Sequence, residues 1–168
     1  MNRQDSLYLV FHLPNRWWKK VVCAVLGVQY NHISLFGKGT DGTRYVIDHP
    51  KNHRPRVLDA DDFLGRTQPF KMVPVGEICR SSVPGLYGSC LLRKNLRWPS
   101  LRYQIRKRLG MRTCNARIKC NCTTGIANLV DSDGWYKLRT PDEVFRHVTQ
   151  RIALPKEERH EKPLLRGP

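Results

Sequence analysis

The sequence predicts an α+β domain in which an antiparallel sheet packs against helices. Short β-prone apolar runs, "LYLVFH", "VQYNHISLF" and "TRYVIDH", are set off by turn-forming residues. Two other stretches, near 15–27 and 140–152, repeat apolar residues at helical spacing. At 168 residues the chain suits one domain with a single core. That domain is expected over 1–154, with a basic, cysteine-bearing insertion near 79–117 and a flexible charged tail over 155–168.

Taken in order, Leu7 to His12 reads as a short strand closed off by Pro14. A helix follows, with Asn15 as N-cap and Gly27 as stop. Its apolar residues Trp18, Val21, Val22, Val25 and Leu26 should pack, leaving Arg16, Lys19 and Lys20 outside. "VQYNHISLF" and "TRYVIDH" form a hairpin around "GKGTDG". "VLDADDFLG" reads as a short acidic helix with Asp59 near its start. "PFKMVPVGEIC" is a strand that Pro74 confines to an edge or a bulge. "SLRYQIRKRLG" is a basic helix capped by Ser100 and ended by Gly110, and residues 119–130 form another helix. In "TPDEVFRHVTQRI", Thr140 is the N-cap, Pro141 the first helical residue, and Glu143 completes a capping box.

Thirty Lys and Arg against fourteen acids give a formal net charge of +16. That balance favours polyanionic surroundings, either nucleic acid or an anionic surface. Aromatics interleave with the cations in "RWWKK" and "RKNLRWPSLRYQIRKR", a composition suited to phosphate contacts with base stacking or to an anionic lipid face. The longest apolar run, Val21 to Val28, falls far short of the roughly 20 residues of a spanning helix. The N-terminus lacks the pattern of a signal peptide, which predicts a cytoplasmic or virion-associated protein with reduced thiols.

Six cysteines are present, and Cys122 stands out. With Asn121 as N-cap, it falls in the first turn of a helix, where free N–H groups favour thiolate. Cys114, Cys120 and Cys122 are spaced C-x5-C-x-C, a poor match to the short knuckles of zinc sites. A thiolate needs a base, and His32 lies mid-strand in "YNHISLF". Pairing Phe36 with Thr43 across the turn puts His49 diagonal to His32 on one face, whereas a one-residue slip brings Asp48 there instead. Arg44 shares the Asp48 side, and arginine is a poor occupant of a closed face, so His49 is favoured.

A helix leading into "YNHISLFGKG", a second strand ending in "DH", and a later "NC" before "TPDEVF" resemble the circularly permuted papain-like superfamily. That group includes lecithin–retinol acyltransferase-like proteins and bacterial or phage amidase-like relatives. The resemblance covers roughly residues 15–150 in element order, through short motifs. It implies a cysteine-dependent hydrolase of amide, peptide or ester bonds working through an acyl-enzyme, without cofactor or metal. Cys122 would attack a peptide or acyl substrate, His32 would move the proton, and His49 or Asp48 would hold the ring. The Cys122 N–H and a donor near Gln29 or Tyr30 would bind the oxyanion. The competing expectation is a non-enzymatic basic binding protein, such as a phage or mobile-element component.

Overall fold

The computed structural model describes residues 7–39, 41–50, 53, 55–67, 69–75, 97–111, 122–123, 125–126, 138 and 140–153, with 97–100 as backbone alone. Among them the chain runs β1 (Leu7–His12), α1 (Trp17–Leu26), β2 (His32–Lys38), β3 (Arg44–Asp48) and β4 (Arg56–Asp59). It continues through α2 (Ala60–Arg66), β5 (Phe70–Pro74), α3 (Arg97–Arg108) and α4 (Pro141–Ala153). The α+β class holds: the five strands form one open antiparallel sheet in the order β4-β3-β2-β1-β5.

Strand alternation gives the sheet two different faces. Leu9 pairs with Leu35 and Val73, Phe11 with Ile33, and Leu35 with Ile47. These fully or nearly buried side chains join Ile126, Val144 and Val148 in the core. Each contributes about 1.5–3 kcal/mol by leaving water. Phe11, Tyr30 and Phe145 make an aromatic triangle with centroid separations of 4.9–5.2 Å. The opposite face carries Val10 opposite Ser34, His12 opposite His32, and Phe36 opposite Val46.

The α4 start is built as its sequence predicts. Thr140 N–H donates to Glu143 Oε2 at 3.0 Å, and Glu143 N–H donates to Thr140 Oγ1 at 3.2 Å. Asp142, in the same first turn, accepts the N–H of Gln29 at 2.7 Å and of Tyr30 at 3.3 Å. The loop before β2 is thereby tied to α4. Glu143 also receives the Tyr103 hydroxyl and the Lys107 ammonium, which draws α3 to the same point.

Several elements differ from expectation. Asn15 does not cap α1; Arg16 occupies that position with no side-chain cap, and Asn15 Oδ1 accepts from Lys19 instead. Gly27 does stop α1, at φ +65°, with its own N–H bonded to the Ala24 carbonyl and that of Val28 bonded to Cys23. This paired closure needs the left-handed conformation that glycine adopts without strain. Only Cys23 of α1 is buried, and Trp17, Trp18, Val21, Val22 and Val25 face solvent. The amphipathic pattern is real, but the apolar side points outward.

The stretch read as one acidic helix divides in two. Arg56–Asp59 pairs with β3 as an edge strand, and only then does α2 begin, capped by Asp59 accepting from Asp62 N–H at 3.0 Å. Edge pairing outweighs the local helical pattern of Val57 and Leu58. β5 is the other edge strand and ends on Pro74, where a missing N–H costs no ladder bond. Ser100 lies inside α3 rather than at its cap, while Gly110 sits just past the end at φ +64°. The tail 155–168, most of the 79–117 segment and Asn121 lie outside the described residues, as do Cys79, Cys90, Cys114 and Cys120.

Candidate functional site

Three strand ends meet at one end of the sheet. His12 closes β1, His32 opens β2 directly opposite it, and Asp48 closes β3. The β2–β3 register pairs Phe36 with Val46, three residues away from the Phe36–Thr43 pairing that the sequence suggests. The glycine-rich "GKG" caused the difference: Gly37 and Lys38 continue the strand, and the ladder closes at Gly39, whose N–H bonds the Thr43 carbonyl at 2.7 Å. An odd shift exchanges the faces. Asp48 therefore shares the His32 face, and His49 points to the other.

The carboxylate is in place. Asp48 Oδ1 lies 2.6 Å from His32 Nε2, and Asp48 Oδ2 lies 3.6 Å from the Arg56 guanidinium, its cross-strand partner on β4. The Asp48 side chain is 3% exposed and that of His32 is 25% exposed. Arg44, whose charge argued against this face, sits at the far end of β3 and pairs with Asp61 of α2 in the open. Its charge never enters the closed end.

His49 is fully buried, beneath the helical turn that holds Cys122, Thr123, Gly125 and Ile126. A Cβ at Gly125 would lie 2.5 Å from His49 Nδ1. Glycine at 125 is what lets this turn settle against the imidazole, so His49 positions the cysteine segment rather than the His32 ring.

Cys122 is partly exposed and lies near the His32 ring and the Ile33 backbone, close enough for their electrostatics to act on its sulfur. Thr123 Oγ1 is 4.0 Å away. Burial opposes charge on the ring, but the neighbouring thiolate and the Asp48 carboxylate outweigh it and push the His32 pKa up to about 10. Burial likewise opposes thiolate at Cys122, yet the imidazolium charge and the hydrogen bonds bring its pKa below the usual thiol value. Asp48 is also lowered, since the His32 bond and the His32 and Arg56 charges overcome its burial. All three shifts run in the direction that favours thiolate beside imidazolium beside carboxylate.

A further histidine escaped the sequence reading. His12 stacks on His32 with centroids 5.2 Å apart, and its Nε2 is 2.7 Å from Ser34 Oγ. Burial, then the His32 charge, depresses its pKa to about 3, so it stays neutral. The only trace in the sequence was a polar residue ending an apolar strand. His147 on α4 is also depressed, to about 4, by burial and by Arg151.

These two histidines set an acid limit on stability. Below about pH 6.5 the unfolded chain takes up a proton at each, whereas the folded chain does so only near pH 3 and 4. Stability should fall by up to about 1.4 kcal/mol per pH unit for each histidine across that window. His32, with its raised pKa, is protonated in both states well below pH 6.5 and adds slope only near the top of the window, in the opposite sense and smaller than the two histidines together. Melting temperatures measured from about pH 6.5 to 4.5 should decline steadily; a flat profile would contradict two buried neutral imidazoles.

The three residues open into a cleft of about 510 Å³ between α1, α2 and α3. Trp18, Val22, Leu26, Phe63 and Leu101 supply apolar walls, while Lys19, Arg56 and Arg66 add positive charge. Gln29 and Tyr30 cannot serve as oxyanion donors as expected, because the Asp142 carboxylate already takes both N–H groups. Among the described residues, no group of three His, Cys, Asp or Glu side chains is placed to hold a metal ion.

A partly exposed cysteine whose pKa is lowered, beside a histidine whose pKa is raised, lies in the kind of surroundings that activate a thiol. Comparison with protein-family models, curated proteins and solved structures returns no match.

Proposed function

We infer that this chain is a cysteine-dependent hydrolase of amide, peptide or ester bonds, using Cys122, His32 and Asp48. The observation that carries the reading is the placement of Cys122, His32 and Asp48 together on the cleft wall, with Asp48 bonded to the His32 ring at 2.6 Å. The Cys122 thiolate attacks a substrate carbonyl carbon, forming a C–S bond while the carbonyl electrons move to oxygen. His32 gives its proton to the leaving nitrogen or oxygen as that bond breaks, which yields a thioester acyl-enzyme. Water then attacks the thioester carbonyl, His32 takes its proton, and the acid leaves as Cys122 returns to thiolate. Asp48 keeps the ring oriented and its positive charge favourable throughout. The Cys122 N–H, in its helical turn, is suited to the oxyanion.

The chain order of histidine, carboxylate and helix-borne cysteine supports a permuted papain-like arrangement, with Asp48 rather than His49 in the third role. Incubation with 4-nitrophenyl acetate tests the proposal. Nitrophenol should appear in a burst followed by turnover, with a 42 Da adduct on Cys122 by mass spectrometry, and Cys122→Ser should abolish both. Acetylation spread over lysines with no burst would rule the reading out.

A further inference from the structure

Helix α1 has an outward face unlike that of an ordinary surface helix. Trp17 is 78% exposed, Val25 68%, Val21 54%, Val22 42% and Trp18 40%. At about 100° per residue these five side chains fill one continuous arc of about 140°. Lys20 flanks the arc and is exposed, and Arg16 is exposed at the helix start. Helix α3 lies next to α1, Arg108 packing over Gly27, and it exposes Arg102, Lys107 and Arg108 together with Ile105, Leu109 and Met111. The result is an apolar ridge bordered by cations, on a chain of net charge +16.

We propose that this ridge docks on an anionic phospholipid surface, with α1 lying in the plane of the headgroups. The ten residues of α1 span about 15 Å, half the hydrocarbon thickness, so the helix can lie on a bilayer but not cross it. Tryptophan beside aliphatic residues suits the headgroup–acyl boundary, and flanking Lys and Arg suit anionic lipid. Nucleic acid fits less well, because the three valines offer neither stacking nor hydrogen bonds to a base. The same helix lines the cleft with Trp18, Val22 and Leu26, so docking would bring the cleft mouth to the membrane. The docking itself does not depend on catalysis.

The full chain should co-sediment with vesicles containing phosphatidylserine, weakly or not at all with phosphatidylcholine alone, and binding should fall as salt rises. Tryptophan emission should shift to the blue and be quenched by brominated acyl chains. The triple variant Trp17→Ser, Val21→Ser, Val25→Ser removes only exposed side chains, so circular dichroism should be unchanged. Its vesicle affinity should drop on the order of tenfold or more. Arg16→Gln with Lys20→Gln should weaken binding to anionic vesicles alone. Three results overturn the proposal: no binding to anionic vesicles, binding that the triple variant leaves intact, or tight single-stranded DNA binding lost in the triple variant without vesicle affinity.

Discussion

Iodoacetamide at pH 6.5 should alkylate Cys122 well before Cys23. The two thiols are driven in opposite directions: the His32 imidazolium and hydrogen bonds lower the first against burial, while burial and then the Asp142 charge raise the second. An ordinary thiol of pKa about 8.5 is only ~1% ionised at this pH. Removing the imidazolium with His32→Gln should therefore slow Cys122 alkylation about 10- to 100-fold, the lower figure allowing for the greater intrinsic reactivity of a more basic thiolate. The rate should rise with pH through the depressed thiol pKa, level off, and change again near pH 10 as His32 loses its proton. Mass-spectrometric mapping of the labelled peptides reads both effects. Equal labelling of Cys122 and Cys23, or indifference to His32→Gln, would remove the ion pair from the site.

Asp48 and His49 are adjacent in sequence and should fail in different ways. Asp48→Asn keeps the shape of the side chain but removes the charge that holds the His32 ring. In serine hydrolase triads the equivalent loss costs as much as about 10⁴ in turnover. Nitrophenyl ester turnover should fall steeply here also, and the alkylation profile of Cys122 should move toward higher pH. His49→Ala instead empties a fully buried site beneath Gly125, which should cost about 2–5 kcal/mol of stability, the range for truncating a large core side chain. Denaturant unfolding and steady-state turnover, measured on both variants, separate the two roles. Loss of turnover without loss of stability in His49→Ala would return His49 to the catalytic role.

Much of the fold was legible because local chemistry and tertiary structure agree. β1 has the bounds its apolar run suggests, the α4 capping box is closed by the two residues that spell it, and Gly27 ends α1 in the left-handed conformation expected of it. His32 and Cys122 could be singled out for a similar reason. Histidine is an odd filler for an apolar strand, and cysteine at a helix start carries its own electrostatic signature.

What the sequence left open was decided by pairing between distant segments. A strand's side chains alternate with period two, so a hairpin register displaced by three residues turned the choice between Asp48 and His49 over. No local signal distinguishes those registers, since the glycines that suggest a long turn are equally able to extend a strand. β4 was hidden similarly: Val57 and Leu58 suit a helix until the open edge of β3 is available to them. Amphipathicity alone gave α1 an apolar face without saying where it points; contacts at Cys23 and in the cleft turned the ridge outward. His12 entered the site only because β1 lies between β2 and β5, which puts its last residue directly opposite His32. Composition and periodicity determine which segments become strands and helices, while the strand order and register decide which titratable groups meet, because that meeting is a property of pairs far apart in the chain.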